Sequence, residues 1–176
     1  MQLPALALRL LLLGERGDEL GGSVLGDVRA AGTAGALPPL DYDAVNAEIN
    51  VVLRGVASGD IVAAHDISDG GLLACVAEMC IGGDGDGTVG AQLVTPRAWA
   101  PGVAMAGALL GERGGFVVAV AAPRAAAFLE MARAEGAACF ELGMSGGTTL
   151  AVDGLLEVSL RELSAAWTGT LRELFA

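Results

Sequence analysis

Ile61-Val-Ala-Ala-His-Asp-Ile-Ser-Asp-Gly-Gly-Leu-Leu-Ala-Cys-Val-Ala-Glu-Met79 decides the fold class. Ile61 to Ala64 form a short apolar run of strand type. From Gly71 on, Leu72, Val76, Met79 and Cys80 recur at helical spacing. Between the two lies a polar turn of His65, Asp66, Ser68, Asp69, Gly70 and Gly71. A strand that ends in such a turn and then opens a helix can build an anion or metal-phosphate site. The helix N-terminus leaves N–H groups unpaired and carries partial positive charge. Gly70 and Gly71 would let a ligand approach the backbone. Asp66 can hold a hard cation such as Mg2+ through oxygen. The same residues also fit a purely structural turn, with Ser68 or Asp69 as the N-cap and the glycines there for packing.

Upstream, Asp41 reads as the N-cap of an amphipathic helix whose apolar residues are Tyr42, Val45, Ile49, Val52, Leu53 and Val56, closed by Ser58-Gly59. Before it come a strand over Leu6–Leu13, a glycine-rich loop from Gly14 to Ser23, a short helix over Val24–Ala30 capped by Ser23, and a loop over Ala31–Leu40. Strand, glycine loop and helix give the outline of a phosphate cradle, but no Gly-Lys-Ser or Gly-Lys-Thr follows, so it is no Walker A loop. Downstream, Gly82-Gly-Asp-Gly-Asp-Gly87 lacks the ligand spacing of a calcium loop and reads as a turn. Val89–Val94 reads as a strand and Trp99–Leu110 as a helix. The continuous apolar run Gly114–Ala122 predicts a strand buried on both faces. A helix follows from Pro123 to Glu135 with Phe128, Leu129 and Ala132 inward. Strands are expected over Ala138–Leu142 and Thr148–Val152, joined by a Gly146-Gly147 turn, and over Leu155–Val158. A last helix carries Leu160, Leu163, Trp167, Leu171 and Leu174. The alternation predicts an α/β (α+β) fold, a layered mixed sheet with packed helices, in one domain over residues 1–176.

The 176 residues are 53% hydrophobic and 18% charged, with a mean hydropathy of +0.58. That balance points to surface that is covered in a larger assembly. The net charge is −11 and no basic patch is present, which argues against nucleic-acid binding. Three cysteines, Cys75, Cys80 and Cys139, form no CxxC pair and read as core thiols of a reducing compartment. His65 is the one histidine, and neither a His-based metal cluster nor a Ser-His-Asp triad is expected within this chain. The apolar start is interrupted by Arg9 and ended by Gly14-Glu15-Arg16, far short of a membrane span. The expectation is a soluble, cytoplasmic protein with no membrane partner.

Ala64-His-Asp-Ile-Ser-Asp-Gly-Gly-Leu72, with Ala77-Glu-Met79 a turn later, resembles the C-terminal domain of the phosphoribosylformylglycinamidine synthase family, within the aminoimidazole-ribonucleotide-synthetase-related superfamily. Three further stretches resemble that domain in the same order: Leu20-Gly-Gly-Ser23, Leu110-Gly-Glu-Arg-Gly-Gly-Phe-Val-Val118, and Leu160-Arg-Glu-Leu-Ser-Ala-Ala-Trp167. The resemblance implies packed α and β layers, partly like a ferredoxin fold. It implies a part in an ATP-dependent amidoligase of purine synthesis: ATP activates the formyl amide oxygen of formylglycinamide ribonucleotide, and ammonia from glutamine displaces the phosphate. By the resemblance Asp66 helps hold Mg2+ at a bound ATP or ADP, and Ser68 contacts that nucleotide. Ile67 stands where long members of the family carry Arg. The family's ATP-binding domain and glutamine amidotransferase domain are not in this sequence and are the implied partners, so the chain alone is expected to be inactive.

Two other readings remain. Asp66-Ile-Ser-Asp-Gly70 is also similar to the motif of thiamine-monophosphate kinase and of selenophosphate-synthetase-like proteins, although His65 and the second glycine favour the synthase. The turn could also belong to a non-catalytic structural or interaction domain, which a nucleotide titration distinguishes.

Overall fold

The structure is a computed structural model that describes residues 2–4, 7–29, 35–82 and 87–174, with side chains described as far as residue 169. Among these residues seven strands form one sheet: β1 (Leu8–Leu13), β2 (Ile61–Asp66), β3 (Ala91–Leu93), β4 (Phe116–Ala121), β5 (Cys139–Ser145), β6 (Thr149–Val152) and β7 (Leu156–Ser159). Their spatial order is β2-β4-β1-β5-β3-β6-β7. All neighbours are antiparallel except β3 and β6. Among the described residues six helices pack with it: α1 (Val24–Val28), α2 (Tyr42–Ser58), α3 (Gly71–Ile81), α4 (Met105–Leu110), α5 (Ala125–Ala134) and α6 (Leu160–Leu174). The expected mixed, layered α/β architecture is present.

The sheet has a core on each face because its central strands alternate apolar residues on both sides. Leu8, Leu10 and Leu12 of β1, with Val117 and Ala119 of β4, enter the core under α3 and α4. Leu11 and Leu13, with Val118 and Val120, enter the other core with Val51 of α2 and Phe128 of α5. Burial on both faces is what the run 114–122 predicted. β2 is an edge strand. A bulge between Ile61 and Ala63 turns Val62 out to solvent, which blunts the open edge.

Several expectations change. The first strand starts at Leu8; Leu6 lies outside the described residues, as do Ala30–Ala34 and residues 83–86 of the glycine-aspartate run. The strands flanking Gly146-Gly147 do not pair. β3 lies between them, with Gly146 N–H donating to Gly90 C=O and Gly90 N–H to Gly147 C=O. Trp99–Leu110 is not one helix: a 3-10 turn over Pro96–Ala98 precedes α4. A capping box starts α6, in which Ser159 and Glu162 exchange side-chain to backbone bonds.

The largest change concerns α2. Asp41 caps it through Oδ1, and Gly59 ends it at φ +74°, as expected. Yet the helix meets the sheet through Glu48, Val51 and Gly55. A Cβ on Gly55 would stand 2.6 Å from Ile61 Cδ1, so glycine is what lets the helix lie this close. Tyr42, Val45, Ile49, Leu53 and Val56 face solvent.

Candidate functional site

β2 runs two residues further than the apolar run suggests and ends at Asp66, paired with Phe116. Ile67 N–H then donates to Gly115 C=O at 2.9 Å, so extended backbone continues past the strand. Period-2 alternation places side chains on opposite sides here. Ile67 is 4% exposed and belongs to the core under α3, while Asp66 and Ser68 on either side of it are exposed. Ile67 is therefore an anchor that turns the two candidate residues outward. Asp69 is exposed as well.

Gly71 N–H donates to Ser68 C=O at 3.0 Å and closes a tight turn. Gly70 and Gly71 both sit at positive φ, +78° and +74°, where only glycine is free of steric cost. Gly71 has a second reason to lack a side chain, since a Cβ there would lie 2.7 Å from the Leu110 carbonyl carbon and 2.8 Å from Gly111 O. The close approach expected of a ligand is made at Gly71 by the chain's own backbone.

Neither Ser68 nor Asp69 caps α3. The N-cap is Gly70, with no side-chain cap bond. Instead Glu112 reaches across, and its Oε1 accepts from Gly70 N–H at 2.9 Å and from Val24 N–H at 2.7 Å. It does for Gly70 what the third residue of a capping box does locally. It also ties the start of α1, after Leu20-Gly-Gly-Ser23, to the start of α3. Ser23 donates its hydroxyl to Leu20 C=O and makes no cap bond to α1.

Arg16 secures the third loop. It is 6% exposed, and its guanidinium donates to Gly111 C=O at 2.8 Å and Gly114 C=O at 3.0 Å. Burial, then Arg113, pulls its pKa down to about 10, so it stays charged at neutral pH. Asp18 of the same loop accepts from Ala104 N–H at the start of α4 at 2.6 Å. Three of the four stretches in the resemblance thus converge at one end of the sheet, held by Glu112 and Arg16. Sequence reading missed both roles. The available signal was a charged residue set among glycines in each of two loops, Glu15-Arg-Gly17 and Gly111-Glu-Arg-Gly114.

His65 is mostly buried between carboxylates and backbone. Its Nε2 lies 3.1 Å from Glu78 Oε2 and its Nδ1 2.8 Å from Asp66 C=O. Both ring nitrogens face oxygen acceptors. The Asp66 carboxylate remains 65% exposed, with Oδ1 3.5 Å from His65 Nδ1. It borders an open depression of about 300 Å³ that Val52, Ala64 and Phe116 also line. A second depression, of about 340 Å³, lies around Glu15, Asp41, Glu48 and Arg113. Burial raises the Glu48 carboxyl above the ordinary range, against the pull of Arg16 and Arg113. Among the described residues no three His, Cys, Asp or Glu side chains are grouped to hold a metal. Asp66 offers one exposed carboxylate, which suits Mg2+ shared with phosphate oxygens and water rather than a closed protein cage. Cys75, Cys80 and Cys139 are free, and burial pushes each thiol up to about 12, which makes them inert at neutral pH.

Against known proteins, the sequence pattern described as "AIR synthase related protein, C-terminal domain" matches residues 8–160. The phosphoribosylformylglycinamidine synthase subunit PurL of Thermomicrobium roseum is 37% identical over 166 residues, which is 94% of this chain and 22% of that protein. The chain thus spans about a fifth of the length of the curated relatives it matches. Thermotoga maritima PurL complexed with FGAR superposes with a TM-score of 0.71 at 18% identity, over 93% of this chain and 28% of that one. The same protein complexed with ADP gives a TM-score of 0.68 at 18% identity, over 93% and 26%. At that identity the likeness to the solved structures is one of fold.

Proposed function

Because the chain belongs to the family of AIR synthase related proteins, C-terminal domain, we propose that it acts as one unit over residues 1–176 within a phosphoribosylformylglycinamidine synthase. That enzyme converts formylglycinamide ribonucleotide, ATP and ammonia drawn from glutamine into formylglycinamidine ribonucleotide, ADP and phosphate, in the cytoplasm. In this reading an ATP-binding domain and a glutamine amidotransferase domain or subunit complete the enzyme, and the chain alone makes no amidine. Its own contribution is a contact to Mg-ATP or Mg-ADP. Asp66 is one oxygen ligand of the Mg2+, and the Ser68 hydroxyl binds the nucleotide. The metal neutralises phosphate charge, which a chain of net charge −11 would otherwise repel.

The observation that carries the reading is the geometry of residues 66–71. Asp66 and Ser68 project outward from either side of buried Ile67, on a turn fixed by Glu112 and by the contact of Gly71 with Leu110–Gly111. A site that must meet a second domain needs side chains that are exposed and a backbone that does not move. Among the described residues no helix is long and apolar enough to cross a membrane, which is compatible with the proposed compartment.

The test is calorimetric titration of Mg-ADP into the complete enzyme and its Asp66→Asn and Asp69→Asn variants. Asp66→Asn is expected to weaken binding at least about tenfold, since it removes a charged metal ligand. Asp69→Asn is expected to leave affinity unchanged. In melting curves, Mg-ADP should raise the midpoint of the wild type more than that of Asp66→Asn. Equal affinity for wild type and Asp66→Asn would return the turn to a structural role.

A further inference from the structure

Behind Asp66, at the end of β2, stands a pair of side chains, His65 and Glu78, that the nucleotide assignment does not use. Side chains alternate along a strand, so His65 shares with Ala63 and Ile67 the face of β2 that looks towards α3. Glu78 comes from the second half of α3, and its Oε2 lies 3.1 Å from His65 Nε2. The other ring nitrogen lies 2.8 Å from Asp66 C=O. A carbonyl oxygen only accepts, so Nδ1 donates there. The same Nδ1 is 3.5 Å from Asp66 Oδ1. Among the described residues His65 is the one basic side chain in ion-pair range of that carboxylate.

These contacts do little for the fold. Leu72, Val76, Met79 and Cys80 already seat α3 and are fully buried. The His65–Glu78 pair lies by the edge strand with Glu78 one-third exposed, where ion pairs add little to stability. What the pair does fix is Asp66. Its carboxylate is 65% exposed, and a side chain standing in solvent has several rotamers open to it. A ring held between Glu78 and the Asp66 backbone narrows that choice. His65 itself is not open to a metal, because each of its nitrogens already faces an oxygen of the chain. Outer partners of this kind orient the side chains that ligate metals.

We propose that His65 is a positioning residue for Asp66, with Glu78 fixing the ring, so that the carboxylate points where it meets Mg2+ at a bound nucleotide. The inference rests on the reading of Asp66 as a Mg2+ ligand and adds to that site the two residues that orient it.

Calorimetric titration of Mg-ADP into the complete enzyme tests it with His65→Ala, Glu78→Ala, Asp66→Asn and the double variant His65→Ala/Asp66→Asn. His65→Ala is expected to weaken binding about tenfold, as loss of an outer partner does, and Glu78→Ala about threefold. The losses should not add. The double variant is expected to bind no more weakly than Asp66→Asn alone, because His65 acts through a carboxylate that is then gone. Melting without nucleotide checks that each variant is folded, and the same cycle on Glu78→Ala serves if His65→Ala is not. Full affinity in Asp66→Asn overturns the metal assignment and this inference with it. A weakened Asp66→Asn beside full affinity in His65→Ala and Glu78→Ala overturns this inference alone. So does a double variant weaker than Asp66→Asn, which would make the role of His65 a structural one.

Discussion

α2 and α3 are both apolar helices laid against the same sheet, and they treat their apolar residues in opposite ways. α3 buries Leu72, Cys75, Val76, Met79 and Cys80 between the sheet, α4 and α6. α2 turns Tyr42, Val45, Ile49, Leu53 and Val56 outward and seats itself through Val51, Gly55 and the carboxylate Glu48. The two ends of α3 and α2 differ in the same sense. α3 starts on Gly70 and Gly71, of which Gly71 is pressed against the backbone of Leu110–Gly111, whereas α2 ends on Gly59, around which a side chain would meet nothing within 4 Å. Apolar periodicity therefore locates a stripe without saying whether the sheet or another molecule covers it. What identifies the inward face of α2 is steric, the missing side chain at Gly55.

The contrast is most sharply broken at the glycines. Gly71→Ala is expected to cost about 4 kcal/mol, from left-handed strain of about 1–2 kcal/mol plus overlap with a backbone that cannot move aside. Gly59→Ala, at nearly the same φ but in open space, should cost only about 1 kcal/mol. Urea unfolding of both variants measures the difference, and equal losses would mean that the Leu110–Gly111 contact is unimportant.

Side-chain truncation gives the next largest effect. Leu72→Ala in α3 should lose about 3 kcal/mol, since Leu72 is fully buried. Leu53→Ala in α2 should stay within about 0.5 kcal/mol in the same urea unfolding, since Leu53 is 62% exposed.

Glu112 joins the start of α3 to the start of α1, so its removal isolates the capping contribution. Glu112→Ala leaves Gly70 and Val24 N–H without this acceptor and is expected to cost about 2 kcal/mol. Glu112→Gln keeps a carbonyl oxygen at the same place and should recover most of the loss in thermal unfolding. A Gln variant as weak as the Ala variant would show that charge, not the bonds, holds the loops.

The smallest effect reads the inward face of α2 by pH. Burial raises the Glu48 pKa in the folded chain. A raised folded-state value means that its stability contribution is full below the unfolded value of about 4.3 and is lost as pH rises through the folded value. The stability of the wild type relative to Glu48→Gln should therefore fall with rising pH across that window and stay flat above it. A difference that grew with pH would mean that Arg16 and Arg113 outweigh burial.

Much of this was legible in the amino-acid order. The run 114–122 announced a central strand, and Asp41 and Gly59 bounded α2, because local chemistry sets those features. Asp66 and Ser68 were legible as outward residues through the polar-apolar-polar alternation around Ile67. The β3 insertion between β5 and β6 was not legible, since turn chemistry at Gly146-Gly147 is the same whether or not a third strand intervenes. Nor was the cap of α3. Local rules look for it at Ser68 or Asp69, and the acceptor comes from Glu112.

That cap has a kinetic consequence. Glu112 lies 42 residues from Gly70 and 88 from Val24 in sequence. While the chain is being made or is refolding, α3 has no side-chain N-cap of its own, and the loop that supplies one arrives only as β4 docks. An excised peptide spanning residues 61–82 should thus show little helix in water, where short helices are marginal even with good caps. The distance also sets an order of events: closing two long loops precedes the last bonds of the site. The turn carrying Asp66 and Ser68 should acquire its slow-exchanging Gly70 amide late, after the central strands have paired.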